Sequence, residues 1–238
     1  MTDIALNESL GSSYAQARER LRNALEVAGR AQGAAKLLAV SKTKPAAMIR
    51  QVWQLGQREF GENYLQEALE KQTELTDLEG IVWHFIGPLQ SNKTRAVAEH
   101  FDWVHSVDRL KTAKRLSEQR PTHLAPLNIC LQVNISREES KAGVLPEALE
   151  ELAREVATLP NLHLRGLMAI PAPAEGIDAQ RQPLAALREA FTALQSSLPD
   201  APLDTLSMGM SDDLEAAVLE GATLVRLGTA IFGARSSA

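Results

Sequence analysis

Runs of strand character alternate eight times with runs of helical periodicity along these 238 residues. That alternation constrains the fold more than any single motif does. Strand-like segments cover 37–41, 59–63, 81–86, 103–107, 127–135, 162–170, 205–208 and 224–227. Helical spacing follows each one, over 45–55, a stretch ending near Leu75, 91–100, 109–118, 146–159, 182–198, 212–220 and a short final turn at 229–233. Strands separated by about 10–15 helical residues imply parallel βαβ units, because a parallel neighbour is reached only through a crossover. Eight such units close a (β/α)8 TIM barrel, a fold of about 250 residues. An open doubly wound sheet is the alternative, and no Gly-x-Gly-x-x-Gly follows an early strand to support it. The expected fold class is therefore α/β, with a single barrel domain over residues 1–238. A leading helix over 3–32, stopped at Gly33, is expected to pack residues 1–33 on the barrel. The Pro-Ala-Pro-Ala run at 171–174 follows a strand directly and reads as a rigid loop at the barrel mouth.

Composition removes several function classes. A net charge of −5 argues against a broad nucleic-acid surface, and 4% aromatic residues leave few platforms for stacking single-stranded bases. No apolar run approaches bilayer length, and Met1 to Leu10 lack a basic n-region with an apolar core, so neither a membrane span nor a signal peptide is expected. Cys130, within Ile129-Cys130-Leu131, reads as a buried structural thiol. One cysteine permits no intramolecular disulfide, which fits a reducing compartment, and the expected location is cytoplasmic. No long apolar heptad demands a second copy, so a monomer is expected.

In such barrels function collects at the C-terminal ends of the strands. The first of these ends carries Lys42, in Leu37-Leu38-Ala39-Val40-Ser41-Lys42-Thr43-Lys44-Pro45. A lysine at the mouth of a buried strand is either a solvated cation or an amine that attacks an aldehyde, the chemistry of a Schiff base with pyridoxal phosphate. Asn63 ends the second strand, and Asn134 closes the fifth. His84 and His105 have no metal-ligand spacing and read as satisfied barrel histidines. Phosphate groups commonly bind after strands 7 and 8. There Gly209 permits close backbone approach, Ser207 or Ser211 offers a hydroxyl, and Gly228 with Thr229 supplies the same pair of features. Asp212 and Asp213 read as helix-capping acids. Arg226 lies in the apolar strand Leu224-Val225-Arg226-Leu227 and needs a partner, either a barrel carboxylate or a cofactor ring nitrogen. Lys141 reads as a solvated loop residue or an anion contact.

Six blocks carry a family resemblance. They are Leu38-Ala39-Val40-Ser41-Lys42-Thr43-Lys44-Pro45, Phe60-Gly61-Glu62-Asn63-Tyr64-Leu65-Gln66-Glu67, Trp83-His84-Phe85-Ile86-Gly87-Pro88-Leu89-Gln90-Ser91-Asn92-Lys93, Gly166-Leu167-Met168-Ala169-Ile170, Leu206-Ser207-Met208-Gly209-Met210-Ser211-Asp212-Asp213 and Val225-Arg226-Leu227-Gly228-Thr229-Ala230-Ile231-Phe232-Gly233. In this order, over about residues 3 to 235, the chain closely resembles the pyridoxal phosphate homeostasis protein family. The resemblance implies a barrel of the alanine-racemase N-terminal type, without a C-terminal β-domain, holding pyridoxal 5'-phosphate. It makes Lys42 the Schiff-base lysine and places Asn63 near the ring. Arg226 then faces the pyridine nitrogen, and Ser207, Gly209, Gly228 and Thr229 hold the phosphate. It also implies a carrier or regulator of the cofactor, with client apoenzymes as partners and no established catalysis. A compact amino-acid racemase is the competing reading. It lacks an obvious second acid/base, since the chain has only Tyr14 and Tyr64. A third reading is a barrel enzyme acting on a phosphorylated metabolite with Lys42 as its base.

Overall fold

Eight parallel strands pair in sequence order, and the last pairs with the first to close the cylinder. The computed structural model describes residues 3–234. The strands are β1 (Lys36–Val40), β2 (Glu59–Glu62), β3 (Val82–Phe85), β4 (Trp103–Val107), β5 (Leu127–Gln132), β6 (Leu162–Met168), β7 (Thr205–Ser207) and β8 (Leu224–Leu227). The helices are α1 (Asp3–Val27), α2 (Ala46–Gln54), α3 (Leu65–Glu74), α4 (Thr94–His100), α5 (Leu110–Gln119), α6 (Pro146–Ala157), α7 (Ile177–Ser197), α8 (Leu214–Leu219) and α9 (Thr229–Phe232). The barrel is closed where Leu38 stands opposite Arg226 and Ala39 opposite Leu227.

The pleat sorts each strand into two faces. Leu37, Ala39, Phe60, Leu167 and Val225 belong to the main core, which also takes in Ile49, Val52, Leu116, Val156 and Leu187 from the helices. Each of these Val, Leu, Ile and Phe side chains contributes about 1.5–3 kcal/mol by leaving water. The alternate positions Leu38, Val40, Cys130 and Met168 are buried as well and point toward the barrel axis. Burial pushes the Cys130 thiol up to about 12. Cys130 is therefore expected to resist a thiol reagent at neutral pH until the chain unfolds. Stoichiometric labelling of the native protein, read by intact mass, would contradict this placement.

The structure differs from the periodicity in identifiable places. The leading helix stops at Val27, short of Gly33, because Gly29 takes φ +66°. Gly29 N–H then bonds Glu26 C=O at 3.0 Å and Arg30 N–H bonds Leu25 C=O at 2.9 Å, the two bonds of a Schellman stop. α7 begins at Ile177, five residues before the expected start at Gln182. A proline signals a helix start, but Pro183 here sits inside the helix. Gln180 Nε2 ties this extra turn to Ala174 C=O at 3.2 Å and Asp212 C=O at 3.0 Å. β5 ends at Gln132, three residues before Ile135, and Val133 bridges to Val144 of the following loop. Among the described residues no helix is long and apolar enough to cross a membrane.

Candidate functional site at the C-terminal mouth of the barrel

β1 delivers Lys42 to the mouth on a corner held from both sides. Ser41, before it, is fully buried. The Ser41 hydroxyl donates to Glu62 Oε1 at 2.8 Å, and the Ser41 carbonyl accepts from Lys71 Nζ at 2.7 Å. Lys71 also donates to Glu62 Oε1 at 2.7 Å and lies 3.2 Å from Glu67. Burial raises the pKa of the Glu62 carboxyl, against the opposing pull of Lys71 and Ser41. Thr43, after Lys42, takes φ +65°. That left-handed conformation is uncommon for a β-branched residue and costs about 1–3 kcal/mol. Lys44 donates to Ala234 C=O at 2.7 Å. Lys42 itself is half-buried.

Sequence reasoning missed this clamp. A carboxylate at Glu62, closing an apolar strand, was the available signal. Lys71 carried none, because a helical lysine normally faces water.

Across the mouth, Arg226 is buried at 5% exposure. Its NH1 donates to Ser207 O at 3.0 Å and to Ser207 Oγ at 2.7 Å, and its NH2 donates to Ala169 O at 3.0 Å. Oxygens of Ser207 and Ala169 therefore engage three of its five N–H groups, in place of the barrel carboxylate that its burial suggested. Burial lowers its pKa to about 10, with Asp213 opposing from a distance, so it is cationic at neutral pH. Ser207 is fully buried, and its Oγ also lies 2.8 Å from His105 Nδ1. The Ser207 hydroxyl is thus committed inside the barrel. Ser211, in the loop beyond, is exposed.

Gly209 takes φ +101°, and a Cβ there would come within 2.6 Å of the Ala217 Cβ. Gly209→Ala is expected to lower stability by about 1–3 kcal/mol, read from the denaturant midpoint, because both the backbone angle and the space exclude it. α8 begins at Leu214, two residues after the expected Asp212. Asp213 occupies its N-cap position without a capping bond. The Asp213 carboxylate instead accepts the Met210 N–H at 2.7 Å, which shapes the turn around Gly209. Gly228 precedes α9, and the first bond of that turn runs from Ile231 N–H to Gly228 C=O at 3.0 Å. The N–H groups of exposed Thr229 and of Ala230 therefore lie ahead of the bonded turn.

Gly209, Met210, Ser211, Asp213 and Arg226 line one cavity of about 360 Å³, closed on its other side by residues 170–174. Lys141 reaches the same cavity from the loop after β5. Asn134 pins that loop, donating to Glu138 C=O at 2.8 Å and accepting from Glu138 N–H at 3.1 Å. Lys42 and Asn63 stand outside this cavity, at the ends of β1 and β2. The end of β1 runs beside Gly228, where an added Cβ would come within 3.2 Å of Val40 O. The buried Asn63 Oδ1 has no hydrogen-bond partner among the described residues.

Comparison with known proteins is consistent with this arrangement. The family described as alanine racemase, N-terminal domain, matches residues 17–236. A pyridoxal phosphate homeostasis protein of Pseudomonas aeruginosa is 61% identical over 227 residues, spanning 95% of this chain and 96% of that protein. One of Escherichia coli K12 is 52% identical over 237 residues, spanning 99% and 98%. PipY of Synechococcus elongatus PCC7942, solved with PLP bound, is 39% identical with a TM-score of 0.83, covering 94% of this chain and 100% of that one. With identity this high along nearly the whole length, and with the barrel and its mouth as described, the chain belongs to the pyridoxal phosphate homeostasis protein family.

Proposed function

We propose that the chain holds pyridoxal 5'-phosphate at the C-terminal mouth of the barrel and serves its intracellular homeostasis. Bound there, the cofactor supplies an aldehyde that a lysine amine retains as a Schiff base. The single observation that carries this reading is Arg226, a buried guanidinium on the wall of a mouth cavity whose own partners use only three of its five N–H groups. A buried cation with unspent donors fits an acceptor atom on a planar, anionic ligand. The orphaned Asn63 Oδ1 fits the same ligand, as does the Gly209 turn, which a Cβ would fill.

The chain's residues divide the work. Lys42 offers the amine from its fixed corner. Asn63 borders the ring, and Arg226 gives the ring nitrogen a hydrogen bond. Gly209, Gly228 and Thr229 hold the phosphate through backbone N–H groups and the Thr229 hydroxyl. Ser211 supplies the serine hydroxyl from the exposed loop, and Ser207 contributes by bracing Arg226 from within. Arg226 keeps its proton at neutral pH, so it gives the ring nitrogen no proton and leaves the ring a weak electron sink. That disfavours transamination and decarboxylation, and the lack of an obvious second acid/base, with only Tyr14 and Tyr64 in the chain, supports a carrier handing the cofactor to client apoenzymes over a racemase. The lone buried thiol supports work in the reducing cytoplasm, and the lack of a long apolar heptad supports a monomer.

The test is borohydride reduction of the full chain loaded with pyridoxal phosphate, followed by peptide mass mapping. The expected result is one reduced adduct per chain, on the peptide containing Lys42. An unlabelled chain, or label confined to other lysines, would overturn the reading.

A further inference from the structure

Beneath Arg226 a file of polar side chains continues into the barrel. His105 Nδ1 lies 2.8 Å from Ser207 Oγ, and His105 Nε2 lies 2.8 Å from His84 Nδ1. His84 Nε2 lies 3.6 Å from Glu59 Oε1, at the first residue of β2 and so at the opposite end of the cylinder. His84 and His105 are both fully buried.

The direction of every proton in this file follows from the one member that has no choice. A guanidinium only donates. Ser207 Oγ therefore accepts from Arg226 at 2.7 Å, and its single proton is left for His105 Nδ1. His105 Nδ1 must then be bare, with the ring proton on Nε2, where it donates to His84 Nδ1. His84 Nδ1 accepts that proton, so the His84 ring proton sits on Nε2, which faces the Glu59 carboxylate at 3.6 Å and makes no hydrogen bond among the described residues. Reversing the file would put an N–H of His105 against Ser207 Oγ, leave the buried hydroxyl proton without an acceptor, and turn a bare His84 Nε2 lone pair toward the Glu59 carboxylate, whereas the stated direction turns an N–H toward that carboxylate.

We propose that Ser207, His105 and His84 are positioning residues, a file of fixed tautomers that braces the Arg226 guanidinium so that its remaining N–H groups serve the mouth. Burial, His84 and Arg226 all hold the His105 pKa well below the ordinary imidazole value, in keeping with a neutral ring. Glu59 is the charged group that faces the far end of the file. The file delivers no proton to the mouth, because Arg226 has no lone pair to accept one. What Arg226 serves rests on the proposed cofactor; the direction of the file does not.

The experiment has two arms. In the first, long-range 1H–15N correlations of histidine rings are recorded on the full chain without cofactor. The expected result near pH 8 is His105 and His84 with protonated Nε2 and bare Nδ1, and His105 is expected to keep that tautomer down to roughly pH 6. Ser207→Ala is expected to release His105 into a mixture of tautomers, and Ser207→Thr to restore the single one. A protonated His105 Nδ1 in the wild type overturns the proposal, as does an unchanged tautomer in Ser207→Ala; the wild-type measurement stands even if a variant fails to fold. In the second arm, chains are loaded with pyridoxal phosphate. His105→Asn keeps an acceptor for Ser207 and is expected to retain the wild-type absorption maximum and affinity. His105→Leu is expected to shift the maximum and weaken binding about tenfold. Equal behaviour of these two variants overturns the positioning role. A wild type with the expected tautomers but no affinity for the cofactor overturns the proposed function and leaves the direction of the file intact.

Discussion

Lys42→Ala is expected to abolish covalent retention of pyridoxal phosphate while leaving the fold intact. Lys42 follows β1 and lies outside the main core, so its truncation opens no cavity there. The clamp that fixes its corner is built from Ser41, Glu62 and Lys71 and survives the change. The contacts proposed from Arg226, Gly209, Gly228 and Thr229 also remain. The variant should therefore bind the cofactor reversibly and more weakly, by about a hundredfold, or roughly 2.7 kcal/mol. Borohydride should leave no adduct on it. Lys44→Ala is the control. Lys44 is two residues away but spends its ammonium on Ala234 C=O, so its loss should leave retention unchanged. Absorbance and intact mass after reduction read both outcomes. Full retention by Lys42→Ala would remove Lys42 from the site.

Lys71→Met is expected to cost about 3–5 kcal/mol of stability, the usual price of leaving one member of a buried ion pair alone. Glu62 has a fully buried side chain, and that of Lys71 is 6% exposed. Without the ammonium, the Glu62 carboxyl rises further from its ordinary value of 4.5, since burial already raises it and Lys71 was the chief opposing influence. The folded variant then holds a proton that the unfolded chain has released, and its stability falls as pH rises from about 4.5 through the folded-state pKa. The deficit against wild type should therefore be smaller near pH 5 than near pH 8, as read by denaturant titration. Combining Lys71→Met with Glu62→Gln should recover much of the loss, because the amide needs no counter-charge and can still meet the Ser41 hydroxyl. A pH-independent deficit, or one below about 1 kcal/mol, would mean that the pair is not the strut holding the Lys42 corner.

Much of the architecture was legible because barrel strands and helices carry their own periodicities. The alternation of strand-like and helical runs depends only on which residues recur at spacings of two or of three and four. It located all eight strands and the helices between them, with shifts where a local device intervened, such as Gly29 in the left-handed region or Pro183 inside α7. Lys42, Asn63, Ser207, Gly209, Arg226, Gly228 and Thr229 could be named as candidates for the same reason, since chemistry in this fold gathers where strands end and strand ends show in the pattern.

The partners were not legible. Ser207 and His105 are 102 residues apart, and Glu62 and Ser41 are 21 apart. Nothing along the chain says that they touch. Closing the cylinder turns alternate side chains from different strands toward one axis, and at that point each buried donor must find an acceptor. Tertiary structure alone therefore turned Ser207 inward to brace Arg226 and made a helical lysine the counter-ion of a buried carboxylate. The sequence by itself determined a parallel barrel with a lysine at the mouth of its first strand, because periodicity is local. Hydrogen-bond satisfaction is a property of the closed barrel, so only the fold decided which side chains hold that mouth in shape.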